Sequence, residues 1–260
     1  MAHMTTSPPT QTGRAAFPAG LCAVIPCYNA GPRVRSVLEG LRELGVPAVV
    51  VDDGSTVPIA DEMAEFDVES RRFPANRGKG HALLEGFGAA LRRSGVDCVA
   101  VLDADGQHDP AELPALHRVF VEQEADLVIG TRRFDAPGVP WNSRLGNTVT
   151  ARFSAWLLGV NLPDTQCGYR LHSRRLVEAV LSGVRGGRYE TEMEILVKAI
   201  RLGYTVVPAP IETIYESGNP SSHFRRVGDS IRVFRRLFEA ALRRPAPEDA
   251  RGASADDSRN

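Results

Sequence analysis

From Leu21 to Arg132 the chain alternates short apolar runs with amphipathic stretches, and this alternation limits the possible folds more than any other feature. The runs LCAVIP (21–26), AVVVDD (48–53), DVESRRF (67–73), DCVAVLDAD (97–105) and ADLVIGTR (125–132) are predicted strands. Several are continuous β-branched sequences without polar alternation, as strands covered on both faces are. Between them lie helix-like stretches near 31–44, 57–65, 79–93 and 111–123. Alternation of this kind predicts an α/β fold, with a mostly parallel, doubly wound sheet, right-handed crossovers and flanking helices. The second half is less regular. It offers helix-like stretches near 143–159, 173–181 and 191–202, a short strand at 204–208, and a final amphipathic stretch near 225–244.

A chain of 260 residues suits one large α/β domain. The domain is expected at 21–244, after a flexible leader (1–20) and before a disordered tail (245–260) that lacks large apolar residues. With 43% hydrophobic and 24% charged residues, the chain is not disordered, collagen-like or a disulfide scaffold. The net charge of −1 provides no field toward nucleic acid, which is not an expected partner. Cys22, Cys27, Cys98 and Cys167 form no C-x-x-C pair, which suits reduced thiols and a cytoplasmic location. No apolar run approaches the roughly 20 residues of a membrane span. Lysine stands only at Lys79 and Lys198, so 29 of the 31 basic residues are arginine. A lysine in a glycine-rich turn, as at Lys79, is therefore unusual for this chain.

Three polar clusters directly follow predicted strands: Pro26-Cys27-Tyr28-Asn29, Asp52-Asp53-Gly54-Ser55 and Asp103-Ala104-Asp105-Gly106-Gln107. Ligands of open parallel sheets bind at the carboxyl ends of strands, so the clusters are expected on one rim. The first strand–helix turn, PCYNAGP, is not a G-x-G-x-x-G fingerprint, which argues against a dinucleotide enzyme. No G-x-x-x-x-G-K-[ST] loop is present either. Asp103 and Asp105, two residues apart where a strand ends, can turn onto one hard cation, Mg²⁺ or Mn²⁺. Asn76-Arg77-Gly78-Lys79-Gly80 opens a helix, where backbone amides and Lys79 favour an anion. Arg132, Arg133, Arg144 and the segment Asp164–Arg170 supply guanidinium groups whose forks match phosphate.

In this order, VIPCYN (24–29), VDDGS (51–55), NRGKG (76–80), DADGQHDP (103–110) and DTQCGYR (164–170) resemble the family 2 glycosyltransferases of GT-A fold. More narrowly, they resemble the polyprenyl- and dolichyl-phosphate mannosyl- and glucosyltransferases. The resemblance spans about residues 20–240. It implies that Pro26, Tyr28, Asn29 and Asp53 hold the base and ribose of a UDP- or GDP-hexose, with Lys79 beside them. It implies that Asp103, Asp105 and Gln107 bind the metal and diphosphate, and that Arg132 and Arg144 grip the acceptor phosphate. Arg170 joins the expected catalytic set as part of DTQCGYR. Where related synthases have Ser-Lys in a late loop, this chain has Ser222-His223, so His223 is the expected donor-diphosphate contact there.

The expected reaction is inverting transfer of a hexose to a polyprenyl phosphate. A phosphate monoester is already largely ionised near neutral pH, with a second pKa of about 6, and needs no general base. A hydroxyl acceptor, the main rival, would need a carboxylate, for which Glu190, Glu192 and Glu194 are candidates. A nucleotidyltransferase would open with a glycine- and arginine-rich loop after the first strand, unlike PCYNAGP. A catalytically dead binding module does not fit the intact aspartate pair. In the stretch 223–244, Val227, Ile231, Phe234, Phe238 and Leu242 share one helical face, and seven arginines stand against Asp229 and Glu239. This basic amphipathic helix either packs on the domain or makes peripheral contact with an anionic membrane.

Overall fold

The computed structural model describes residues 20–132, 162–188 and 190–212. The expected leader up to residue 19, the helices at 143–159 and 225–244, the tail, Arg133, Arg144 and His223 lie outside the described residues. Seven strands form one sheet: β1 (Leu21–Cys27), β2 (Ala48–Asp52), β3 (Glu69–Arg72), β4 (Cys98–Val101), β5 (Leu127–Arg132), β6 (Arg170–Ser173) and β7 (Val206–Ile211). Their order is β3-β2-β1-β4-β6-β5-β7. Pairing is parallel throughout except around β6, which runs antiparallel to both β4 and β5.

The buried runs form the centre. Every residue of β1, β2 and β4 is buried, in keeping with their lack of polar alternation. Complete burial of each Val, Leu or Ile side chain contributes about 1.5–3 kcal/mol, and Val24, Ile25, Val49, Val50 and Val51 are all fully buried. The edge strand β3, ESRR, is largely exposed and charged, which disfavours pairing with another chain.

Six α-helices are described: α1 (Arg33–Leu44), α2 (Ala60–Met63), α3 (Lys79–Arg92), α4 (Leu113–Glu122), α5 (Arg174–Gly183) and α6 (Glu190–Arg201). Helix α3 packs on β1 and β2, and also meets α5 and α6; α4 packs on β5 and β7. The apolar stripe Val34, Val37, Leu38 and Leu41 buries one side of α1, which ends at Gly45 in the left-handed region.

The structure departs from the sequence reading at several elements. The strand β6 was not expected, because Arg170 and His172 make RLHS look polar; both are nonetheless buried. The helix expected over 57–65 is only the single turn α2. The last strand lies at 206–211 rather than 204–208, and its Pro208 and Pro210 are tolerated because β7 is an edge strand. Buried Asp126 ties these outer strands together. It accepts from Ser173 Oγ at 2.7 Å, Arg175 Nη2 at 2.6 Å and the Thr205 amide at 3.0 Å.

Candidate active site

The first two strand-end loops are sewn together. Asn29, with φ 52, donates its amide to Ser55 Oγ at 2.9 Å and accepts from the Thr56 amide at 2.8 Å. Pro26 lies inside β1, whereas Tyr28 is 37% exposed on the rim. Asp52 accepts from the Ser55 amide at 2.8 Å and pairs with Arg72, whose Nη2 reaches the Ser55 carbonyl at 2.8 Å.

Asp53 is buried and holds the following glycine-rich loop. One oxygen accepts from the Arg77 amide at 2.7 Å; the other accepts from Asn76 Nδ2 at 2.9 Å and the Gly78 amide at 2.8 Å. Gly54, at φ +73, lies so close to this loop that a Cβ would stand 2.4 Å from the Ala75 carbonyl carbon. VDDGS and NRGKG are thus one unit, and Asp53 shapes the loop that presents Lys79 at the start of α3.

Beyond β4 the chain turns at once, so the strand is shorter than the expected 97–105. The Asp103 amide donates to His108 Nδ1 at 3.2 Å, and the Gln107 amide donates to Asp105 Oδ1 at 3.0 Å. Lys79 Nζ lies 2.6 Å from Asp103 Oδ1 and 3.2 Å from Glu192 Oε1 and Oε2. Of the three glutamates at the start of α6, Glu192 is the one brought to Lys79, and it is 8% exposed.

The charges here perturb one another. Burial alone would raise the Asp103 carboxyl, but Lys79, with help from His108 and Arg132, holds it below the ordinary carboxylate range. Burial, and then the negative charge of Asp103, pushes Asp105 up. Burial disfavours the Lys79 ammonium, yet Asp103 and Glu192 outweigh it and raise that group. Burial holds His108 down at about 4. It is neutral near pH 7, and its ring stacks on Tyr169 with 5.1 Å between centroids. Cys167 is pushed up to about 12 by burial, so it is no thiolate nucleophile.

The segment 162–170 closes the site from the other side. Buried Asp164 accepts from Arg132 Nε at 2.6 Å and Nη2 at 3.1 Å, fixing the plane of that guanidinium. A Cβ on Gly168 would lie 2.6 Å from Asp103 Oδ2 and 3.0 Å from Lys79 Nζ, so a larger residue would push these side chains aside. Arg170, expected among the catalytic residues, is 2% exposed and donates to three backbone carbonyls: Cys167 and Thr165 at 2.8 Å each, and Glu192 at 2.7 Å. Its guanidinium anchors the 165–168 loop to the first turn of α6, with all three of its nitrogens donating to backbone carbonyls.

Asp103, Asp105, Lys79, Arg132 and Glu192 therefore belong to one constellation at the carboxyl end of β4, with Gln107 beside it through its backbone. His108 and Asp164 had no assigned role in the sequence, where only a buried ring stack and a long-range ion pair distinguish them. Among the described residues no group of three or more His, Cys, Asp or Glu side chains is arranged around a metal position. The aspartate pair still fits a hard divalent cation that keeps water and substrate oxygens as its other ligands. Its donor set, two carboxylates two residues apart at a strand end, is the hard-oxygen chemistry such a cation takes. Among the described residues no helix is long and apolar enough to cross a membrane.

Residues 22–181 match the family described as Glycosyl transferase family 2. The chain is 34% identical over 200 residues to the polyprenol monophosphomannose synthase of Mycolicibacterium smegmatis, covering 72% of this chain and 75% of that one. It is 32% identical over 226 residues to the undecaprenyl-phosphate mannosyltransferase of Micrococcus luteus, covering 80% and 89%. The fold is similar to glucosyl-3-phosphoglycerate synthase of Mycobacterium tuberculosis, solved with Mn²⁺, UDP and glucosyl-3-phosphoglycerate. That similarity has a TM-score of 0.67 at 19% identity, over 88% of this chain and 82% of that one. On the strength of the family match and the site at the carboxyl end of its parallel strands, this chain belongs to glycosyl transferase family 2 and is a nucleotide-sugar-dependent glycosyltransferase of GT-A fold.

Proposed function

We propose that the enzyme transfers a hexose, with inversion, from a UDP- or GDP-hexose to a polyprenyl phosphate. Two relatives above 30% identity are named for sugar transfer to such lipid phosphates. The observation that carries the reading is the state of the carboxylates around Asp103. Glu192 is paired with Lys79, and Asp164 with Arg132. A carboxylate held by a cation is a poor proton acceptor, which suits an acceptor that arrives already ionised.

In this reading Tyr28 and Asn29 line the side of the rim that takes the base and ribose, and the loop fixed by Asp53 presents Lys79 toward the diphosphate. Asp103 and Asp105 would hold Mg²⁺ or Mn²⁺, with Gln107 adjacent. A divalent ion there would neutralise the charge of the departing nucleoside diphosphate. Arg132, its plane set by Asp164, positions the acceptor phosphate, joined by Arg144 and, on the donor side, by His223 from outside the described residues. The basic stretch 225–244 would hold the enzyme at the cytoplasmic face of an anionic membrane, where the acceptor resides.

A hydroxyl acceptor is the second reading; in it Glu192, beside Lys79 and Asp103, would have to give up its ion pair with Lys79 to act as the base. A panel of UDP- and GDP-hexoses, each assayed with a short polyprenyl phosphate and with simple alcohols, separates the two. Product with the phosphate and none with alcohols is expected. Transfer to alcohols, lost in Glu192→Gln, would move the assignment to the second reading.

A further inference from the structure

Lys79 occupies an unusual position for a lysine in this chain. Its ammonium bridges Asp103, at the end of β4, and Glu192, in the first turn of α6 and 113 residues farther along. The Asp103 oxygen it touches belongs to the carboxylate assigned above to a divalent ion. An ammonium and a divalent cation on the same carboxylate repel, so full binding of one weakens the other. A second carboxylate, buried and already in contact, stands ready to receive the ammonium.

The residue type fits such an exchange. This chain uses arginine at 29 of its 31 basic positions. An arginine fork would bind two carboxylates in a fixed, planar geometry, whereas a lysine is a compact charge with three rotatable donors. It can turn from one oxygen to another with no plane to realign. Gly168 leaves room beside both groups, since its absent Cβ would lie 3.0 Å from Nζ.

We propose that Lys79 is a resident, exchangeable cation of the metal site and that Glu192 is the positioning residue that receives it. Without a divalent ion the ammonium rests on Asp103. When the ion engages Asp103, Lys79 moves onto Glu192 and remains at the edge of the site, directed at the diphosphate. Glu192 thereby sets metal affinity without touching the metal. This inference rests on the reading of Asp103 as a metal ligand.

The test is Mn²⁺ binding to the full chain without nucleotide, read from the loss of the free-ion EPR signal, with circular dichroism to confirm folding. Glu192→Gln leaves Lys79 on Asp103 and is expected to weaken Mn²⁺ about tenfold, within the usual range of coupling between two binding events. Lys79→Met is expected to tighten it, and Lys79→Arg to weaken it. In the Lys79→Met background, Glu192→Gln is expected to have no further effect. This charge-balanced double variant also replaces Lys79→Met if the single variant does not fold; it should then bind Mn²⁺ at least as tightly as the wild type. A weakening by Glu192→Gln that persists without Lys79 overturns the exchange, as does unchanged affinity in Glu192→Gln while Asp103→Asn abolishes binding. If Asp103→Asn binds Mn²⁺ like the wild type, or the wild type binds none, the metal assignment itself fails and the exchange falls with it.

Discussion

Replacing Arg170 separates a supporting role from a catalytic one. The guanidinium is buried and donates to the carbonyls of Cys167, Thr165 and Glu192. In Arg170→Lys a single ammonium replaces the fork; its donors radiate from one point, so it can reach about one of the three carbonyls that the separate Nε, Nη1 and Nη2 now engage. A hydrogen bond to a charged group contributes about 1.5–3 kcal/mol, so losing two costs roughly 3–6 kcal/mol. Against a total stability of about 5–15 kcal/mol, that is a large fraction. At about 2–4 °C per kcal/mol for a domain of this size, the melting temperature should fall by roughly 6–24 °C. Urea and thermal unfolding followed by far-UV circular dichroism measure the loss; kinetics at a temperature where the variant remains folded measure activity. The expected variant is markedly destabilised and retains much of its kcat when folded. An unchanged melting temperature with a hundredfold loss of kcat would refute this reasoning and return Arg170 to the chemistry.

Gly168→Ala places a Cβ 2.6 Å from Asp103 Oδ2; it should cost about 1–3 kcal/mol through overpacking and lower kcat, and wild-type kinetics in the variant would count against the close approach. Activity should require a divalent ion and vanish in folded Asp105→Ala; full turnover in excess EDTA would remove the metal role. Burial lowers His172 to about 3, from an ordinary value near 6.5. It therefore favours folding fully above pH 6.5, and that advantage is lost as the pH falls toward 3. Between pH 7 and pH 5 the loss is about 2 kcal/mol, so His172→Phe should flatten the acid side of the urea-midpoint profile, whereas an unaltered profile would contradict it. Anionic vesicles should retain the full chain at low salt and release it at high salt, and charge reversal at Arg232, Arg235 and Arg236 should abolish retention; indifference of the wild type would argue for a soluble acceptor.

The parallel half of the fold was legible because its strands are buried on both faces. Val49, Val50 and Val51 need no partner information to be read as a core strand, and Asp52 and Asp53 mark where it ends. The antiparallel strand was illegible for the opposite reason. RLHS is four residues long and places an arginine and a histidine inside the protein. These are stable there because of acceptors outside the strand: the carbonyls of Thr165 and Cys167 in the loop just upstream and of Glu192 for Arg170, and the Val99 carbonyl, 3.4 Å from Nδ1, beside His172. The four residues of the strand do not by themselves encode that satisfaction.

The site divides along the same line. Asp103 and Asp105 could be chosen because their position at a strand end is a local property. What each charge does depends on partners far away in the chain. Lys79 was notable as a rare lysine in a glycine-rich turn, yet its second partner lies 113 residues on. The guanidinium of Arg132 suits phosphate, and its buried counter-charge, Asp164, lies 32 residues on, beyond an intervening segment. Asp53 shows how a motif residue can also carry structure, since both of its oxygens accept from residues 76–78. In each case the residue type announced a charge, and the packing decided whether that charge faces a ligand, another side chain or the backbone. Gly168 follows the same logic in reverse. A glycine between Cys167 and Tyr169 carries no chemistry of its own, but its missing side chain is the space in which Lys79 and Asp103 meet.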